Sequence, residues 1–157
     1  WSTLKEAKDE TGYFDFLVNI DYSWNWLKKN MYGLIEFYHN GLGKNNYTHA
    51  LADPIVSKRI DRGELFALGK NYVSGQIKAE LHPLFNIHLT IINNVNDPSG
   101  TIQPCAIWSM TQNSTLYLGA NIFYGKKGSE YGGFLIPDTN YHTNAAPNAY
   151  VLFTYYF

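Results

Sequence analysis

The sequence predicts an all-β fold, in the form of a transmembrane antiparallel β-barrel of which about seven strands are visible. Apolar and polar residues alternate over runs of about ten residues, with the period of a strand rather than of a helix. Short and long connections follow one another between these runs. Aromatic residues lie toward the ends of the apolar faces, as they do at the two interfaces of a bilayer.

The first strand shows the alternation most clearly. From Phe14 to Trp24 every second residue is apolar, and most of the residues between them are polar. The other runs that alternate in this way are Met31–Asn40, Tyr72–His82, Leu84–Asn94, Ile102–Thr111, Thr115–Gly125 and Ala149–Phe157. Pro83 ends the third strand, because proline cannot donate to a ladder. Such lengths match the roughly 9–11 residues of a strand that crosses a bilayer at a tilt.

The connections fall into two classes. Those near residues 25–30, 83 and 112–114 are short, whereas those at about 41–71, 95–101 and 126–147 are longer. Short turns on one side and long loops on the other are typical of outer-membrane barrels. We therefore expect residues 1–157 to form a single barrel segment, with a short helical piece near Glu64–Leu68 in the first long loop.

The composition excludes several classes of protein. Lys and Arg number 12 against 13 Asp and Glu, so no basic excess favours a nucleic-acid partner. Apolar runs fall far short of the ~18 residues of a transmembrane helix. Cys105 is the single cysteine, which excludes an internal disulfide and a cysteine-based zinc site. The histidines show no metal-ligand spacing, and we expect neither a metal nor a cofactor.

The two faces of the strands predict two environments. Polar side chains on one face are expected to line a wet lumen: Asp15, Asn19, Asp21, Glu36, Lys78, Glu80 and His88. Aromatic side chains on the other face are expected at the membrane interfaces: Tyr22, Trp24, Trp108, Tyr124, Tyr155 and Phe157. Glu80 and His88 are expected to join a lumenal hydrogen-bond network, with a titrating pair as the alternative. A soluble β-sandwich or lipocalin-like barrel is the competing fold, and it would carry more Lys and Arg on its outer faces.

The C-terminal run from Tyr150 to Phe157 resembles the closing strand of Gram-negative outer-membrane β-barrel proteins, which typically end in an aromatic residue preceded by alternating apolar positions. The segment Glu80–Leu84 followed by Asn93–Asp97 is also similar to a strand, turn, strand and outer loop of porin-type barrels. The resemblance implies a bacterial outer-membrane location, contact with outer-membrane lipids, and recognition of the last strand by the barrel-assembly machinery. It identifies the class of protein and not the member.

Seven strands are an odd number, whereas bacterial single-chain barrels have an even number with both ends in the periplasm. We therefore expect the chain to be the C-terminal part of a larger barrel, completed by its remaining strands or by a homo-oligomer. The alternatives are an additional strand near Trp1–Glu10 or one within Ile55–Asn71.

The favoured function is a porin-like channel for passive or weakly selective passage of small solutes. The mixed charge of the lumen gives little basis for a preference between anions and cations. A structural barrel that sheathes or docks a partner, such as a lipoprotein or an electron-transfer protein, is the first alternative. The second is a lipid-modifying enzyme around Tyr141–Asn144, where Thr143 follows His142, but a nucleophile, base and orienting carboxylate are not apparent together. We therefore expect no catalytic residues.

Overall fold

Seven antiparallel strands form one sheet in which each strand pairs with its neighbours in sequence. The computed structural model describes residues 13–63, 67–143 and 146–157. The strands are β1 (Phe16–Trp26), β2 (Lys29–His39), β3 (Asn71–His82), β4 (Phe85–Asn94), β5 (Ser99–Thr111), β6 (Ser114–Tyr124) and β7 (Asn148–Tyr155). The two helices are α1 (Tyr47–Ala52) and α2 (Pro54–Asp61). The all-β class and the antiparallel order are thus confirmed.

Two-residue turns join the strands at one end of the sheet. The turn between β1 and β2 is Leu27–Lys28, tighter than the predicted connection at 25–30. Both residues have positive φ, 50° and 60°, as a type I′ turn requires. The strands extend to this turn because Trp26 pairs with Lys29 and Asn25 with Asn30. We call this end of the sheet the turn end.

The long connections all lie at the opposite end, which we call the loop end. They span residues 40–70, 95–98 and 125–147, so the middle one is shorter than the predicted 95–101, and the first and the last are the two long loops. The first contains α1 and α2, where the sequence predicted one helical piece near Glu64–Leu68. Glu64–Phe66 lie outside the described residues. The Asn46 side chain caps α1 by accepting from the His49 amide, and Pro54 opens α2.

The sheet does not close into a barrel within the described residues, so the seven strands form one continuous open sheet. β1 and β7 stand at opposite edges of the strand order, and closure requires the first and last strands to pair. The seventh strand ends at Tyr155 and not at Phe157. In the described ranges, neither helix has the length and apolar character needed to cross a membrane.

The most deeply buried residues lie at the loop end rather than beneath the sheet. Ala50 and Val56 pack with Leu42, Ile60 and Leu68, so α1 and α2 enclose a small apolar cluster. Tyr47 packs against Phe134, with ring centroids 5.3 Å apart, and thereby joins the first long loop to the last. The sheet itself leaves much of its apolar surface exposed.

Candidate functional site

One face of the sheet, which we call the polar face, gathers most of the residues predicted to line a lumen. Asn19 pairs with Glu36, and Lys78 pairs with His88, while Asp21 and Glu80 share the same face through the alternation of their strands. Asp15 precedes β1 at the loop end, where its carboxylate accepts a bond of 2.6 Å from the Gly41 amide. The strand residues of this set thus share one side of the sheet, as their alternation predicts.

Hydrogen bonds between neighbouring strands hold the polar face in register. Gln76 Nε2 donates to Thr90 Oγ1 at 3.1 Å, and Asn30 Nδ2 donates to Glu80 Oε2 at 3.0 Å. Glu80 lies opposite Asn86, and His88 lies opposite Lys78, so the two residues of the alternative Glu80–His88 pair are offset by one level of the sheet. A groove of about 600 Å³ opens at the turn end of this face, beside Tyr32, Lys78 and Glu80.

The polar face divides into a charged half and an uncharged half. All Asp, Glu, Lys and Arg residues of the described strands lie on β1, β2 and β3, and strands β4 to β7 contain none. The uncharged half instead carries amides and tyrosines: Gln103, Asn121, Asn148, Tyr117 and Tyr150. The sequence analysis missed this division, although the absence of charge after Glu80 in the strand segments was the available signal.

The opposite face, which we call the apolar face, is continuous across the sheet. Isoleucines from five strands align at one level, with Gly75 between them on β3: Ile20, Ile35, Ile91, Ile102 and Ile122. Ile20 and Ile35 are 72% and 62% exposed. A continuous apolar surface of this extent is unusual on a soluble monomer.

Aromatic side chains flank the isoleucine level at both ends of the apolar face. Tyr22, Trp24, Trp108 and Tyr155 lie toward the turn end, and Tyr124 lies at the loop end. Phe157 follows the end of β7 and is exposed. On β6, Leu116 pairs with Trp108, and about eight residues separate it from Tyr124, or about 26 Å along the strand at ~3.3 Å per residue.

A polar cluster at the loop end joins the two long loops to the polar face. We call it the Glu130 network, and it comprises Tyr47, Tyr72, Asn94, Asp97, Ser99 and Glu130. The Glu130 carboxylate accepts from Tyr72 Oη at 2.7 and 2.6 Å, from Asn94 Nδ2 at 2.7 Å and from the Leu68 amide at 2.8 Å. Donors that lie between 36 and 62 residues from Glu130 in sequence therefore converge on its carboxylate.

Asp97 anchors the other side of the Glu130 network. Its carboxylate accepts from the Glu130 amide at 2.8 Å and from Ser99 Oγ at 2.6 Å. Burial, followed by the hydrogen bond and charge of Asp97, raises the pKa of Tyr47. Burial, followed by the charges of Glu130 and Asp97, raises the pKa of Tyr131 to about 12. These phenols stay protonated, so their hydroxyls remain available as donors.

Tyr141–Thr143, from the segment weighed as the site of a lipid-modifying enzyme, belong to a small hairpin, and Asn144 lies outside the described residues. His142 bridges Leu135, and the Thr143 hydroxyl donates to the Phe134 carbonyl at 3.2 Å while accepting from the Phe134 amide at 3.0 Å. The hydroxyl thus stabilises the hairpin backbone. Among the described residues, no group of three or more His, Cys, Asp or Glu side chains has the arrangement of a metal site.

Comparison with protein-family models, with curated proteins and with solved structures finds no match for this chain. The functional argument therefore depends on the two faces of the sheet and on the Glu130 network.

Proposed function

We propose that the chain forms part of the wall of an outer-membrane β-barrel, with the apolar face toward lipid and the polar face toward a solute-filled lumen. The function is that of a porin-like channel for small solutes in the bacterial outer membrane. The observation that carries the proposal is the register that aligns isoleucines from five strands between aromatic residues at the two ends. Aliphatic bands flanked by aromatic girdles are typical of barrels in lipid.

The dimensions of the apolar face support the same function. About 26 Å along a strand, tilted by about 40°, gives a height of about 20 Å, close to the ~25 Å apolar band of outer-membrane barrels. The opposite face carries side chains such as Glu36, Lys78 and Gln76, whose polar groups need water or a partner. A lumen would supply that water.

The turn-and-loop arrangement also fits the proposal. Two-residue turns at one end and long loops at the other match the periplasmic and outer ends of known barrels. The long loops bond to Tyr72 and Asn94, which belong to the polar face, so they cover its loop end. In a channel they would narrow the outer mouth.

Neighbouring substitutions on the two faces test the orientation. Ile91→Lys on the apolar face is expected to lower the free energy of unfolding in lipid vesicles by about 2–4 kcal/mol, because a cation then faces hydrocarbon. Thr90→Lys, one residue away on the polar face, is the matched control and is expected to cost only about 1 kcal/mol, because it loses the hydrogen bond that Gln76 donates to Thr90. Equal costs for the two variants would contradict the proposal.

Planar-bilayer recording of the intact protein tests transport itself. We expect stepwise conductance increases on insertion, whereas an absence of conductance at every voltage would count against a channel. A stoichiometric protein that copurifies from the membrane and suppresses conductance would favour the docking function instead.

A further inference from the structure

We propose that the uncharged half of the polar face, on β4 to β7, binds a neutral sugar ring. The inference rests on the proposed function, since it names the class of solute that the lumen would recognise. It begins with charge: β4 to β7 contain no Asp, Glu, Lys or Arg on either face. A charged solute on this surface would give up water without gaining an ionic partner, whereas the hydroxyls of an uncharged polyol cost much less to desolvate.

A level of amides and one hydroxyl crosses this surface, beginning at its border on β3. Gln76 pairs with Thr90, Thr90 with Gln103, and Asn121 with Asn148. On β5 and β6, Thr101 pairs with Phe123 and Cys105 pairs with Gly119. Gln103 and Asn121 lie midway between these two pairs, so they lie opposite each other and complete the level.

Each amide side chain offers two donors and an acceptor. Asn121 Nδ2 uses one donor on Asn148 Oδ1 at 2.8 Å. Sugar hydroxyls both donate and accept, so an amide level matches them better than a row of like charges would.

Tyrosine rings occupy the adjacent levels toward the turn end. Tyr150 pairs with Gly119, and Tyr117 lies two residues along β6 on the same face. The Tyr150 ring lies over Gly119, because a Cβ at that glycine would come within 2.3 Å of its atoms. Two residues along a strand span about 7 Å, so ring and amides lie within reach of one short oligosaccharide. The apolar C–H face of a sugar packs on such a ring while its hydroxyls bond the amides.

The test is calorimetric titration of the full-length protein in detergent micelles with maltotriose. We expect saturable binding that Tyr150→Leu weakens by about fivefold, the loss typical of one aromatic packing contact. Tyr150→Phe keeps the ring and is expected to bind as the native protein does. Tyr22→Leu is the matched control, since it removes an exposed tyrosine from the apolar face.

A fold check by circular dichroism accompanies each variant, and Asn121→Leu provides a second weakening variant should Tyr150→Leu fail to fold. No saturable binding to the native protein, or equal weakening by Tyr22→Leu, would overturn the sugar site. Bilayer recording keeps the two proposals apart. Conductance without maltotriose binding overturns only the sugar site, and binding without conductance overturns only the channel.

Discussion

Glu130→Gln is expected to destabilise the contact between the two long loops, because the groups that face the Glu130 carboxylate are donors and leave the new NH₂ group without a free acceptor. Leu68 N–H points at one carboxylate oxygen and Asn94 Nδ2 at the other. Asn94 cannot reverse its amide without cost, since its Oδ1 accepts from the Asn96 amide at 3.0 Å. The Tyr72 oxygen already accepts from the Gly69 amide at 2.6 Å. In either orientation the glutamine NH₂ group therefore meets a donor.

The magnitude follows from the bonds that are lost. One hydrogen bond to a charged acceptor contributes about 1.5–3 kcal/mol, and the remaining bonds weaken because their acceptor becomes neutral. We expect the free energy of loop opening to fall by about 3 kcal/mol in total. Each 1.36 kcal/mol corresponds to a factor of ten, so amide exchange in the loops accelerates by about 100-fold.

Hydrogen exchange at the Leu68, Gly69 and Glu130 amides measures this change. Asp138→Asn is the matched control, because it makes the same carboxylate-to-amide change in the same loop at an exposed residue. Its φ of 59° is one that asparagine tolerates. Exchange that accelerates less than about threefold in Glu130→Gln, or equally in both variants, would refute the argument.

Three further predictions concern turns, loops and pH. Lys28→Gly is expected to stabilise the first hairpin by about 0.5–1 kcal/mol, because glycine accepts its φ of 60°, and denaturant unfolding measures the gain. Gly43→Ala is expected to destabilise the fold by about 2 kcal/mol, since the new Cβ would approach the Gly69 carbonyl oxygen to 2.2 Å. Gly75→Ala is the control, because the nearest atom to its new Cβ, the Leu34 carbonyl oxygen, is 3.9 Å away. Because the pKa of Tyr131 is raised in the folded protein, the phenol loses its proton at a lower pH in the unfolded state than in the folded state. The stability of the fold therefore decreases as pH rises from about 10 to about 12. An ultraviolet titration in which Tyr131 ionises at pH 10 would contradict this.

The strands were predictable because each has one apolar face, so apolar residues recur at every second position. The alternation predicted all seven strands. The largest difference at a strand start is in β5, which was predicted to begin at Ile102 and begins at Ser99. Ends were less predictable where the pattern weakens: Asn25 and Trp26 extend β1 only because Asn30 and Lys29 pair with them. The positive φ of Leu27 and Lys28 was hidden, since neither residue type favours that conformation.

The helices and the Glu130 network illustrate two different limits. The cap at Asn46 and the proline at position 54 were local helix-start signals that the sequence analysis did not use. The network had no comparable signal, because its donors come from Leu68, Tyr72 and Asn94 and meet Glu130 only through the order of the strands. Local periodicity determines which face a side chain occupies, but it does not determine which loops meet.

The strand directions restrict how the proposed wall can be completed. β1 and β7 run in the same direction, because six antiparallel pairings separate them. A ring made only of two copies inserted in the same orientation would therefore join β7 of each copy to β1 of the other in parallel, unlike the antiparallel pairing of outer-membrane barrels. An odd number of further strands lets every pairing remain antiparallel. It also satisfies the backbone groups at both edges, which hydrocarbon would leave without partners. For the proposed barrel, the parallel directions of the edge strands β1 and β7 thus favour completion by additional strands over completion by a second copy.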